Sequence, residues 1–211
     1  MLLPATNHDR FRELLHDYNE QPDQRERIVA EIDQQFRCSV AILVIDSCGF
    51  SRTVRSAGII HFLALLERLE RLIVPIIAAT GGRLLRREAD NIFAVFPDAA
   101  AATTAAAAII RDVDVANGPL PAGDEIYVSA GVGFGEVLAV GADDLFGDQM
   151  NLASKLGEDL AQKSEILLTP AAYAALADSS WQFEEANFSV SGLDLTAYRL
   201  VQEYSLPAPE R

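Results

Sequence analysis

Two acids, Asp46 and Asp90, stand where a carboxylate has little to offer packing and much to offer a hard cation. The apolar run Ser39-Val-Ala-Ile-Leu-Val-Ile45 delivers Asp46, and Asp90 lies between Arg83-Leu-Leu-Arg86 and Asn91-Ile-Phe-Ala-Val-Phe96. On adjacent strands such a pair can hold two magnesium ions roughly 3.5–4 Å apart, one activating an attacking oxygen and the other steadying phosphate charge. A pair of turn-capping aspartates accounts for the two acids equally well. The segment Ser47-Cys-Gly-Phe-Ser51 follows Asp46 directly and precedes a helical pattern, so its backbone N–H groups can cradle a triphosphate.

The elements that must position these residues follow from periodicity. Phe11, Leu14, Leu15 and Tyr18, then Ile28, Val29, Ile32 and Phe36, predict two short amphipathic helices on either side of Pro22. Residues 39–45 read as a buried strand, and 53–79 as one helix with Leu63, Leu66, Leu69, Ile73 and Ile77 among its apolar positions. Gly81-Gly82 turns the chain into a hairpin whose connection holds Asp90. The alanine-rich stretch from Ala99 to Ile110 predicts a tightly packed helix. Glu125–Gly135 alternates as a strand, with Glu136–Val140 expected as its neighbour, and Asp144 to Asn151 is expected to open a helix running to about Leu160. A strand at Glu165–Leu168, a helix near Ala171–Leu176 and a closing strand pair from Phe183 to Val201 complete the chain. Strand and helix alternate throughout, which predicts an α/β sandwich with a mixed sheet.

Three blocks now stand in order: Ile45-Asp46-Ser-Cys-Gly-Phe-Ser51, Gly81-Gly-Arg-Leu-Leu-Arg86-Arg-Glu-Ala-Asp90, and Asp144-Leu-Phe-Gly147-Asp-Gln-Met-Asn151-Leu-Ala153-Ser-Lys155. Together they resemble the signature of the class III adenylate and guanylate cyclases. Val190-Ser-Gly192 and Tyr198-Arg-Leu-Val201 resemble that family's last strands, so the likeness runs from about Ser39 to Val201. It implies a ferredoxin-like α/β sandwich over residues 38–203, preceded by a helical extension at 1–37 and followed by a flexible tail at 204–211.

The resemblance implies roles residue by residue. Asp46 and Asp90 fall on the metal ligands, with the Ser47 carbonyl as a further ligand, for two Mg²⁺ or Mn²⁺ ions per site. Cys48, Gly49, Phe50 and Ser51 fall on the turn against the phosphates. Arg86 and Asp144 fall on the pair that reads the base, and Asn151 and Lys155 on the pair that orients the ribose and stabilises the transition state. In the family these groups come from opposite subunits, which implies a homodimer with shared sites acting on a nucleoside triphosphate. Four positions depart from the pattern: Arg86 replaces the lysine usual in adenylate cyclases, Lys155 replaces the family's arginine, and Glu88-Ala89 replaces an apolar-Gly pair. Lysine keeps the charge at 155 but loses the planar fork that grips phosphate at two points, an expectation of slow turnover.

Base choice follows from donors and acceptors. An ionised Asp144 accepts from an exocyclic amine while Arg86 donates, which fits adenine and sets guanine O6 against a carboxylate. ATP therefore ranks first. A pyrimidine triphosphate, as in the cyclic CMP and cyclic UMP cyclases of phage defence, ranks second, and GTP third. A non-catalytic nucleotide-binding module of the same fold is the competing reading, motivated by the substitutions at 86 and 155.

Composition narrows the field. The 211 residues are 50% hydrophobic, enough to bury a core, and carry a net charge of −14, which opposes the broad phosphate contact of nucleic-acid binding. No run reaches the roughly 18 consecutive apolar residues of a membrane span, so a soluble, cytoplasmic protein with no nucleic-acid or membrane partner is expected. Cys38 and Cys48 read as free thiols. His8, His16 and His61 read as packed surface histidines, Asp143 and Asp148 as solvated turn residues, and Trp181 as an anchor for the terminal strands.

Overall fold

Twelve residues of β1 (Arg37–Cys48) form the axis of the sheet, because their apolar run can be satisfied only by burial on both faces. Val40 to Ile45 are all buried. In the computed structural model, which describes residues 2–121, 123–190 and 193–201, β1 pairs antiparallel with β3 (Asn91–Phe96) on one side and β4 (Tyr127–Val140) on the other. β2 (Arg83–Glu88) adds beyond β3. A short β5 (Asp144–Phe146) pairs with the far end of β4. Then β6 (Ile166–Leu168) joins β4 in parallel, and β8 (Leu193–Leu200) and β7 (Phe183–Val190) follow. The order β2-β3-β1-β4-β6-β8-β7, with β5 on β4, is a mixed sheet of eight strands among the described residues.

The period of two along β1 divides its side chains between two cores. Ala41, Leu43 and Ile45 face the layer formed by α4 (Ile59–Ala79) and α5 (Ala99–Asn117). Val40, Ile42 and Val44 face Leu3, Leu145, and Met150 and Ala153 of α6 (Asp148–Ser154). Trp181 packs against the first of these cores, as an anchor of the terminal strands should. The extension forms α1 (His8–Glu20) and α2 (Arg25–Phe36), whose Leu14, Ile28, Ile32 and Phe36 bury against Val140 at the end of β4. It is packed on the sheet.

Four expectations need correction. The helix expected over 53–79 is two helices, α3 (Phe50–Ala57) and α4, because Gly58 at φ +88° leaves the helical region, where residues with a Cβ are strained. Its buried stripe is Phe62, Leu65, Leu69, Ile73 and Ile77, and Leu63 is exposed. Glu136–Val140 is no separate neighbour but the second half of β4, long enough to pair with all of β1. Asp144 lies on β5, and α6 starts only at Asp148; beyond Ser154 the chain widens into a π turn, Lys155–Leu160. The tail 204–211 and the Ser191-Gly192 pair lie outside the described residues.

Candidate active site

The antiparallel register Ile45↔Ile92, carried one and two residues further, places Asp46 across from Asn91 and Ser47 across from Asp90. The buried Ser47 hydroxyl donates to Asp90 Oδ2 at 2.7 Å, which ties the end of β1 to the β2–β3 turn. On the other side Asp46 pairs in register with Ser129 of β4, whose hydroxyl donates to the Gly157 carbonyl at 3.0 Å. The two predicted acids thus meet at one edge of the sheet, with the π turn folded against it. Burial, and then the negative charge of Asp90, Glu158 and Asp159, push the Asp46 carboxyl up to about 7 against the amide donated by Ser47. Asn91 Oδ1 is buried beside these acids with no hydrogen-bond partner. Crowded carboxylates and an unpartnered amide oxygen make an all-oxygen donor set suited to a hard divalent cation. Among the described residues no group of three or more His, Cys, Asp and Glu side chains is placed to hold a metal.

The phosphate turn is shorter than expected. β1 runs through Cys48, which pairs in register with Tyr127, so Cys48 belongs to the strand. Only Gly49, at φ +98°, makes the turn, and it caps α3 without a side-chain acceptor. The first-turn amides of α3, beginning with Phe50 and Ser51, are thereby left open to an anion. Burial pushes the Cys48 thiol up, and its Sγ lies 3.7 Å from Ser129 Oγ, which keeps it a packed thiol. Both cysteines are free.

Arg86 and Asp144 come from β2 and β5, on opposite sides of β3 and β1, and converge. Arg86 Nη1 stands 4.0 Å from Asp144 Oδ1 and donates to the Asp143 carbonyl at 3.0 Å. Its Cζ lies 4.4 Å above the centre of the Phe93 ring. A guanidinium can stack flat on the ring and donate from its edge at once, which gives the replacement of lysine a physical role. The loop carrying Asp144 is also pinned through Ala142, whose carbonyl accepts from Arg83 Nη1 at 2.9 Å.

Asn151 and Lys155 sit on the helix that packs against β4. Asn151 is exposed, and Lys155 Nζ is bound to Asp159 Oδ2 at 2.8 Å across one turn. Among the described residues no hydrogen bond or ion pair joins either of them to Asp46, Asp90, Arg86 or Asp144. The chain therefore brings Asp46 near Asp90 and Arg86 near Asp144, while Asn151 and Lys155 bond to neither pair and the turn that begins at Lys155 lies against Asp46 through Glu158 and Asp159.

Sequence reasoning missed Phe93, Asn91, Ser129 and the acids Glu158 and Asp159. Asp159 was detectable as an i,i+4 partner of Lys155; the others required the fold. The structure also explains Glu88-Ala89. Ala89, in the two-residue turn between Glu88 and Asn91, has φ +53°, a backbone conformation that favours glycine. Ala89→Gly is expected to stabilise the protein by about 0.5–1 kcal/mol, raising the melting temperature by roughly 1–4 °C. A lower melting temperature would show that the turn prefers its alanine.

A mixed sheet of this order, with an Asp-bearing central strand, a second Asp in the adjacent hairpin and an Arg–Asp pair beside Phe93, has the fold of solved adenylate and guanylate cyclase domains. Known proteins agree. The chain is 32% identical over 130 residues to the "Putative adenylate cyclase 3" of Rhizobium meliloti (strain 1021), a match covering 61% of this chain and 22% of that protein. The adenylate/guanylate cyclase/hydrolase from Silicibacter pomeroyi superposes with a TM-score of 0.68 at 25% identity, over 79% of this chain and 98% of that one. The adenylyl cyclase CyaB from P. aeruginosa shares the fold, with a TM-score of 0.67 at 21% identity over 80% and 96% of the two chains. No family model matches the chain. Among the described residues no helix is long and apolar enough to cross a membrane.

Proposed function

We propose that the protein is a nucleotidyl cyclase that converts a nucleoside triphosphate, ATP first, into its 3′,5′-cyclic monophosphate and pyrophosphate at sites shared between two copies of the chain. The observation that carries this reading is the convergence of Arg86 and Asp144 to 4.0 Å from separate elements, beside an edge where Ser47 bonds Asp90. The likeness to a putative adenylate cyclase supports ATP as the substrate.

Asp46 and Asp90 would hold two Mg²⁺ or Mn²⁺ ions, with Ser47 and Asn91 supplying further oxygens. Such cations lower the pKa of a ribose 3′-hydroxyl and offset triphosphate charge. The remaining work falls to the chain. The open amides of α3 receive the phosphates. Asp144 accepts from the exocyclic amine and Arg86 donates to a ring nitrogen, which fixes the base. Asn151 of the second copy holds the ribose so that its 3′-oxygen attacks the α-phosphorus in line with pyrophosphate. One O–P bond forms as the bond to pyrophosphate breaks. Lys155 of the second copy leaves Asp159 to neutralise charge growing on the phosphate oxygens, a role in which a cation contributes roughly 10³–10⁵ in related transfers. Within one chain Asn151 and Lys155 bond to neither pair, an arrangement compatible with a site completed by a second copy.

A second reading, a pyrimidine cyclase, is favoured by the stacked Arg86, whose fork fills space beside Asp144 that a purine would need. Incubating the purified protein with ATP, GTP, CTP and UTP, with Mg²⁺ and separately Mn²⁺, and reading products by mass spectrometry, tests both. Cyclic AMP is expected. Cyclic CMP or cyclic UMP would transfer the assignment to the second reading. No cyclic product from a folded dimer would make the protein a nucleotide-binding module instead.

A further inference from the structure

The first residues of the chain reach the loop that carries Asp144. Leu3 is buried with Val137, Ala139 and Leu145. The Thr6 hydroxyl donates to the Ala139 carbonyl and accepts from the Gly141 amide, both at 2.9 Å, and so clamps the turn out of β4. His8, the first residue of α1, lays its ring against Gly141, where a Cβ would overlap Nε2. The two ring nitrogens each face a carboxylate at 3.8 Å: Nε2 faces Asp143 Oδ1, and Nδ1 faces Asp144 Oδ2. The other Asp144 oxygen is the one that faces Arg86. Phe11, one turn on, stacks over Phe146 of β5 with ring centres 6.0 Å apart.

We infer that His8 is a positioning residue for Asp144, and that through it the N-terminal segment sets the orientation of the carboxylate that reads the base. A carboxylate on a three-residue edge strand turns freely about its terminal torsion, whose energy well is broad. Arg86 restrains one oxygen of Asp144 and His8 the other, while Thr6 and Phe11 hold the backbone on either side. Asp143 stands at the other ring nitrogen, and the packing of the ring on Gly141 keeps it lodged between the two acids. Displacement of residues 2–8 therefore releases Asp144, and the extension becomes a handle on substrate choice. The functional half of this inference rests on the base-reading role proposed above.

The test compares the full-length parent with His8→Ala and His8→Gln by amide hydrogen exchange and by steady-state kinetics on the four triphosphates. In His8→Ala, exchange over residues 141–145 is expected to quicken while β1 keeps its protection. KM for the preferred triphosphate is expected to rise about two- to five-fold with kcat held, the span of one lost positioning contact, and the preference over the other bases to narrow. His8→Gln, which keeps a hydrogen-bond donor, is expected to recover part of both. Unchanged exchange at 141–145 overturns the inference. Faster exchange with unchanged KM and base preference also overturns it, since His8 then serves the fold alone. A parent that turns over none of the four triphosphates sinks the cyclase reading, and the exchange comparison still decides whether His8 holds the loop.

Discussion

Asp46→Asn is expected to make no detectable cyclic nucleotide and, in metal-free buffer near pH 7.5, to melt at a higher temperature than the parent. Loss of one of two carboxylate donors removes several kcal/mol of transition-state stabilisation, and about 4 kcal/mol corresponds to a fall of at least roughly 10³ in kcat/KM. The stability gain has a separate cause. Burial and the charges of Asp90, Glu158 and Asp159 raise the Asp46 carboxyl from 3.8 to about 7, so the folded chain binds a proton there that the unfolded chain has already lost. A raised pKa means that the contribution is fully present below the unfolded value and is lost as pH climbs through the folded one. The parent therefore loses this contribution from about pH 4 to pH 7, and the asparagine variant has none to lose. Because Asp46 is only half-buried, solvent screening reduces the difference to about 1–2 kcal/mol, or roughly 2–8 °C in melting temperature. Adding Mn²⁺ should reverse the ranking, since a cation that binds only the folded parent stabilises it by mass action. Surviving turnover would sink the metal assignment. A difference in melting temperature between variant and parent that is the same at pH 4 and pH 7.5 would sink the charge-crowding account and leave that assignment standing.

The next largest effect is expected at Gly131, in the middle of β4. A Cβ there would overlap the Ala153 carbonyl oxygen and lie 2.5 Å from the Gly157 nitrogen. Gly157 in turn has no room for a side chain, since a Cβ would stand 2.9 Å from both the Val44 oxygen and the Gly131 nitrogen. The segment from α6 through the π turn, which carries Asn151 and Lys155, thus lies backbone to backbone on the sheet, which the alternate glycines at 131 and 133 permit. Gly131→Val forces these backbones apart, with no rotamer that relieves the overlap. A loss of at least about 3 kcal/mol is expected, or roughly 6–12 °C in melting temperature, together with loss of any activity that needs α6 in place. Gly118→Ala serves as the control, because a Cβ there meets only the Val115 oxygen at an ordinary 3.4 Å, and its effect should stay within about 0.5 kcal/mol. If Gly131→Val melted with the parent, the close seat of α6 on β4 would be wrong.

The Ser-Ala-Gly-Val-Gly-Phe-Gly run shows where local reading reached its limit. Its alternation announced a strand, and glycine at every second position signals close backbone approach, but the partner that approaches lies some twenty residues on and became known only with the fold. Helix ends failed similarly. The apolar period continues across Gly58, so periodicity alone joined α3 to α4, while a backbone angle decided otherwise. The Asp144 motif was legible as a motif and misread as a helix start. Three residues of β5 acquire strand form only because Leu138 to Val140 offer them a free edge.

By itself the sequence determined the alternation of strands and helices, the two acids beside turns, and the order of motifs that resembles the class III cyclase signature. These depend on neighbours along the chain, where a period of two or 3.6 residues and a Gly or Asp at a turn act locally. The tertiary structure alone decided that Ser47 bonds Asp90, that Arg86 lies on Phe93 facing Asp144, and that His8 closes on the same carboxylate from the other side. Each of those contacts joins residues far apart in sequence. Strand register and the closing of the 141–144 loop set them, and both are fixed only when the whole sheet buries its two faces at once.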